Sequence, residues 1–202
     1  MTKDRSHKMM ESHRAFTRDL AGSEGVPPVI ALFDEEDVLI SCFATGFTAD
    51  NKEEMISEML ALLHLTPGCR SAIFTLDANL RDPETEQIVG ETLAHIGFLK
   101  KGDTWDLVHL WDSYTRNEEG QPDFDNPPEH DPSQVNDPRL GEIQNWITEL
   151  FWTQHHNRQT LIDKGLSVFD LLKVMGIRGP GMYLIAIQDE HLRAELGART
   201  NR

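Results

Sequence analysis

Residues 29–44, VIALFDEEDVLISCFA, decide the class of fold. Two apolar runs, 29–33 and 38–44, flank four consecutive carboxylates. Each run is too short for a buried helix and is rich in β-branched and aromatic side chains, so the stretch reads as two strands joined by an acidic turn. A hairpin of this kind commits part of the chain to an antiparallel sheet. Asp34, Glu35, Glu36 and Asp37 lack the alternate spacing and turn glycine of a calcium loop, and they read as a solvated hairpin tip rather than a metal site.

Working toward the N-terminus, Met9, His13, Phe16 and Leu20 recur at helical spacing and predict a helix over 8–20, closed by Ala21 and Gly22. His13 on that face is expected to pack rather than to ligate. Working toward the C-terminus, Asp50 with Glu53 three residues on forms a capping-box start to a helix that runs to Leu65. Met55, Ile56, Met59, Leu60, Leu62 and Leu63 give it one broad apolar face, and Pro67-Gly68 stops it.

A meander is expected next: a strand over 71–76, a turn at 82–85, a strand over 88–98, a turn at 100–103 and a strand over 105–114. In the last of these, Trp105, Leu107, His109, Trp111 and Ser113 share one face, and Asp106, Val108, Leu110, Asp112 and Tyr114 share the other. Neither face is purely apolar, so the strand either lies centrally or presents aromatic surface to a partner.

The composition changes abruptly over 117–139. Five of the ten prolines fall there, with seven acids, one base, and only Phe124 and Val135 as apolar side chains. Such a stretch cannot bury enough surface to offset its ordering entropy, so it reads as an acidic, Pro-rich linker or arm. Beyond it Leu140, Ile143, Ile147, Leu150 and Phe151 mark one helical face, Lys164-Gly165 supplies a C-cap, and Ser167 with Asp170 caps a short helix to Met175. Residues 182–187 fit a strand or the first turns of a helix. The fold class is therefore α+β: an antiparallel sheet with flanking helices over 1–116, the acidic Pro-rich arm over 117–139, and a mostly helical C-terminal section over 140–202.

The charge pattern bounds the function. The net charge of -15 is concentrated: residues 1–26 sum to +1 and 158–202 to +2, which leaves -18 on 27–157. That block repels nucleic acid and anionic membranes, and a basic protein partner is the natural alternative. No run approaches the roughly twenty apolar residues of a membrane span, and residues 1–16 mix acids and bases without the apolar core of a secretory signal, so no leader is expected. Cys42 and Cys69 sit in apolar stretches and read as two free thiols of a soluble protein in a reducing cytoplasm.

No residue set reaches a catalytic, cofactor or metal signature, and neither a cofactor nor a metal is expected. His155 and His156 are adjacent on a helix, where their side chains diverge by about 100°. His64, His95, His109 and His130 are scattered singly, and His109 and Asp112 fall on opposite faces of one strand. Leu171-Leu172-Lys173-Val174-Met175-Gly176-Ile177, with Arg178 and the later Met182 and Ile185, resembles the centre of a helix-turn-helix, which implies a DNA-binding regulator. Gly179-Pro180-Gly181 departs from that pattern by weakening the start of a recognition helix and removing side chains that reach bases. The order helix, hairpin, helix, three-stranded meander, helix resembles roadblock or longin-type domains, which implies a protein-binding platform.

The function expected from these readings is a non-enzymatic interaction or regulatory protein that binds a basic partner, as a nucleic-acid mimic or inhibitor. Asp123, Asp125, Glu129 and Asp131 are its expected contact charges, with Phe124 as an apolar anchor among them. The alternatives are the helix-turn-helix regulator and a small hydrolase-type enzyme.

Overall fold

The computed structural model describes residues 3–22, 25–48, 50–82, 84–85, 87–124, 138–168, 170–173 and 182–187. Two units interleave along the chain. The first takes residues 1–28 and 73–144, the second 29–72 and 145–202. The class is α+β with antiparallel strand pairs, as the sequence reading expects.

In the first unit, α1 (Lys3–Leu20) lies against a sheet ordered β6 (Pro122–Phe124), β5 (Thr104–Arg116), β4 (Ile88–Lys101), β3 (Ser71–Arg81), with β3 belonging to this unit from Ile73 onward. The strand expected over 88–98 is present and extends to Lys101. The two-residue turn Gly102-Asp103 closes it onto β5, with Lys101 opposite Thr104 and Gly102 at φ 61. That left-handed backbone is what a tight hairpin demands and what glycine supplies without strain. At the β3–β4 turn, Asp82 Oδ1 accepts from the backbone N–H groups of Glu84 (2.9 Å) and Thr85 (2.8 Å), which explains the turn read at 82–85.

Two expectations change here. The helix begins at Lys3 rather than near Lys8, and its buried side is not the apolar row Met9, His13, Phe16, Leu20. Leu20 is 40% exposed and Phe16 is half-buried, whereas Met10, Arg14 and Thr17 are enclosed with Met9 and His13. The helix is rotated because Arg14 finds Asp112 inside, while the Thr17 hydroxyl is satisfied by the His13 and Arg14 carbonyls of its own helix. Within 117–139, the stretch read as an irregular arm, Pro122–Phe124 pairs with β5 and α3 (Pro138–Asp163) has begun. Residues 125–137 lie outside the described residues.

In the second unit the order is β1 (Val29–Phe33), β2 (Leu39–Thr45), β7 (Met182–Ile187). The hairpin of β1 and β2 is antiparallel, and its acidic tip is an ordered turn: Asp34 Oδ1 accepts from the N–H groups of Glu36 (2.8 Å) and Val38 (2.9 Å). All five β1 residues are buried. The helix α2 (Lys52–Leu65) starts one residue later than the capping-box reading places it, with Asn51 rather than Asp50 at the N-cap and no side-chain cap bond. Asn51 Oδ1 is engaged backward instead, accepting from Thr48 N–H at 2.7 Å.

Along α2, Met55, Ile56, Met59, Leu60 and Leu62 are fully enclosed. Each such side chain stabilises the fold by about 1.5–3 kcal/mol relative to exposure. The part of α3 in this unit buries Ile147, Leu150 and Phe151, the face read from sequence. It meets α2 through Gln154 Nε2 donating to Ser57 Oγ (2.6 Å), Arg158 Nε donating to the His64 carbonyl (3.3 Å), and the Lys52 ammonium over the Trp146 ring (4.9 Å). Gly165, at φ 69, ends the helical run with bonds from Gly165 N–H to Ile162 O and from Leu166 N–H to Leu161 O, the paired pattern of a glycine C-cap. Ser167 and Asp170 then cap each other reciprocally, as their spacing predicts.

The segment over 182–187 is a strand antiparallel to β2, with Thr45 opposite Met182 and Ser41 opposite Ile187. This overturns the helix-turn-helix geometry, in which Met182 and Ile185 lie on a second helix. Among the described residues, no helix is long and apolar enough to cross a membrane.

Candidate functional site

The first unit carries a polar network enclosed between α1 and three strands. Leu93 stands opposite Asp112 and His95 opposite Leu110, so His95 of β4 and Asp112 of β5 are diagonal neighbours on one sheet face. His95 Nε2 lies 3.0 Å from Asp112 Oδ2. On its other side His95 Nδ1 lies 2.9 Å from Thr75 Oγ1 of β3, and Thr75 Oγ1 lies 2.8 Å from His13 Nε2 of α1. The helical spacing of four residues brings Arg14 and Arg18 to the same carboxylate. Both use Nε on Oδ2 at 3.1 Å, and both place Nη2 on Oδ1, at 2.6 Å for Arg18.

These groups are enclosed almost completely. Thr75 and His95 are 0% exposed, Arg14 is 1% and Asp112 is 2%. Burial by itself favours protonated Asp112, but the hydrogen bonds from His95, Arg14 and Arg18 outweigh it and hold the carboxyl well below the usual carboxylate range. The ionised carboxylate is acceptor-only, so the hydrogen on His95 Nε2 points to it. Burial, with the nearby His95 second, pushes His13 down to about 3. Burial also lowers His95, against the Asp112 hydrogen bond and charge, with Arg14 and Arg18 adding to the lowering. Both imidazoles are therefore neutral at pH 7. Thr75 O–H then donates to His95 Nδ1, and His13 Nε2–H donates to Thr75 Oγ1.

The order hydroxyl, imidazole, carboxylate has the connectivity of a nucleophilic relay, but a substrate cannot reach a hydroxyl with no exposure, and Asp112 is already saturated by two arginines. What the arrangement does chemically is hold charge and protons inside the unit.

A second cluster borders the first on the same strands. Tyr114 O–H lies 2.8 Å from both oxygens of Asp77, and Arg116 donates from Nε to Glu91 Oε2 at 2.8 Å and from Nη1 to the Gly120 carbonyl at 3.0 Å. Burial raises the Asp77 pKa, against hydrogen bonds from Tyr114 and Val26 N–H. Gly25, at φ +86, passes so close that a Cβ would stand 2.1 Å from Asp77 Oδ2, so the backbone is pressed directly onto the carboxylate.

The residues singled out by sequence fall elsewhere. Asp123 is exposed on β6, and Phe124 is half-buried, its ring 5.3 Å from Tyr114 and beneath the Arg18 guanidinium at 4.6 Å. Asp125, Glu129 and Asp131 lie outside the described residues, as does His130. His109 faces away from Asp112, as its strand position dictates, and both its ring nitrogens are buried without a hydrogen-bond partner. In the second unit the rings of His64 and His155 approach to 5.2 Å beside Phe151. Among the described residues, no group of three or more His, Cys, Asp or Glu side chains is placed to hold a metal. Cys42 and Cys69 are free thiols, each pushed up to about 12 by burial.

The network was missed because each member looks ordinary alone. A signal for it exists: His95 interrupts the apolar run Leu93, Ala94, Ile96, Phe98, and Arg14 sits between Met10 and Thr17 at helical spacing. No family model, curated protein or solved structure matches the chain.

Proposed function

We propose that the chain is a non-enzymatic interaction or regulatory protein whose acidic surface binds a basic protein partner. The sorting of charge carries this reading. Arg14 and Arg18 are turned inward onto Asp112 and Arg116 is held by Glu91, whereas Glu35, Glu53, Glu118, Glu119, Asp123 and Glu149 are exposed. Arg14 and Arg18 share one carboxylate inside, which leaves the surface one charge more negative than the composition implies, and such a field steers oppositely charged partners. The enclosure of Thr75, His95 and Asp112 supports a binding role over a hydrolytic one, because this hydroxyl–imidazole–carboxylate set has no access to substrate.

Asp123, Asp125, Glu129 and Asp131 are the proposed contact charges, with Phe124 tying the root of that segment to Tyr114 and Arg18. A protein that normally holds nucleic acid is the partner such a row of carboxylates suits, and two free thiols suit a reducing compartment. Affinity capture at low and high salt tests the reading. Capture of basic proteins at low salt should fall steeply as salt rises, because screening shortens the field to about 8 Å near physiological ionic strength. Joint neutralisation, D123N with D125N, E129Q and D131N, should slow association and leave thermal stability nearly unchanged. Salt-independent capture, or an unchanged association rate in the variant, overturns the assignment.

A further inference from the structure

We propose that α1 is an acid-released clasp: as the medium acidifies, it leaves β3, β4 and β5 while the strands stay paired. The inference comes from which side of the contact is made of what. The strands hold one another by backbone ladders, which do not titrate in this range. By contrast, α1 contributes His13, Arg14 and Arg18 to an enclosed network completed by Thr75, His95 and Asp112. With both imidazoles neutral, each hydrogen between His13 and Asp112 has one acceptor. A proton added at His95 Nδ1 turns the acceptor of the Thr75 hydroxyl into a donor, and it places a third cation beside Arg14 and Arg18, which share one carboxylate. A proton added to His13 charges a side chain whose neighbours are Thr75, the Phe16 ring and the edge of His95. Departure of α1 exposes both histidines to water, where they protonate freely.

The sign follows from linkage. A histidine whose folded pKa lies below its unfolded value of about 6.5 contributes stability that is present above pH 6.5 and lost as pH falls toward the folded value. His13 and His95 both shift in that direction. Asp112, shifted down, adds a loss only below about pH 4. Asp77 on the same strands is shifted up and acts in the opposite sense, favouring the closed form on its own protonation. Between pH 7.5 and 4.5 the release of neutral His13 to water raises the opening equilibrium about a hundredfold, and His95 adds to it in the same direction.

Hydrogen exchange by mass spectrometry on the full chain, corrected for intrinsic rates, tests this. Protection of α1 amides should fall by more than about a hundredfold between pH 7.5 and 4.5, and by clearly less in His13→Gln, while β4 and β5 keep their protection. Constant α1 protection over that range, or parallel loss in β4 and β5, overturns the proposal. Should His13→Gln fail to fold, imidazole resonances of the wild-type chain decide: His13 and His95 must be neutral with hydrogen on Nε2 while α1 is closed and take up a proton only as α1 amides lose protection, and titration of either with α1 still protected overturns it.

Discussion

The two helices α1 and α2 bury opposite kinds of surface. In the second unit α2 encloses Met55, Ile56, Met59, Leu60 and Leu62, side chains that need only to leave water. In the first unit α1 encloses His13, Arg14 and Thr17 with Met9 and Met10, and the polar groups need particular partners at particular distances. Those partners stand far along the chain, Thr75 at 62 positions from His13 and Asp112 at 98 from Arg14. Apolar burial is forgiving and local in its signal; polar burial is exacting and distributed. The difference predicts that the two helices answer to mutation through different physics.

The strongest test is Asp112→Ala. Removing the carboxylate that accepts from both guanidinium groups breaks an enclosed charge pair on one side, and the cost should reach about 3–5 kcal/mol by denaturant unfolding. A cost near that of an exposed ion pair would erase the contrast. Next, Met59→Ala or Leu62→Ala in α2 should cost about 2–5 kcal/mol through lost transfer energy and the cavity left behind. Here the conservative Met59→Leu should recover most of the loss, because volume is what the site needs, whereas Asp112→Asn keeps volume and should recover little. Similar recovery in both would show that shape, not charge, governs the α1 contact. The smallest effect belongs to Asp50→Ala. With the N-cap at Asn51 and Asp50 exposed, the change should stay within about 0.5 kcal/mol, and a loss near 1 kcal/mol would restore Asp50 as the cap.

Reading along the chain goes well wherever one residue's neighbours in sequence are also its reason. The hairpin 29–44 is legible because two short apolar runs flank a turn, and the Asp82 and Gly102 turns are legible because their side chains or backbone act within a few residues. It goes less well at Ser71–Arg81, where the apolar run ends at Leu76 but the strand continues through Asp77 and Asn79, carried by its pairing rather than its hydrophobicity. The assignment of 182–187 needed β2 as well, since an apolar hexapeptide fits helix or strand until a ladder is available.

The α+β class, the hairpin and meander, the apolar faces of α2 and α3, and the concentration of negative charge over 27–157 can all be read along the chain, because each follows from composition or short-range periodicity. Only the tertiary structure decided that α1 turns Arg14 and Thr17 inward, that Phe124 is pinned between Tyr114 and Arg18, that β7 joins β2, and that His13, Thr75, His95 and Asp112 form one chain of hydrogen bonds. The physical reason is range. Hydrophobic patterning repeats every two or three to four residues and can be counted, whereas a buried charge is stable only beside partners that strand pairing brings from distant positions.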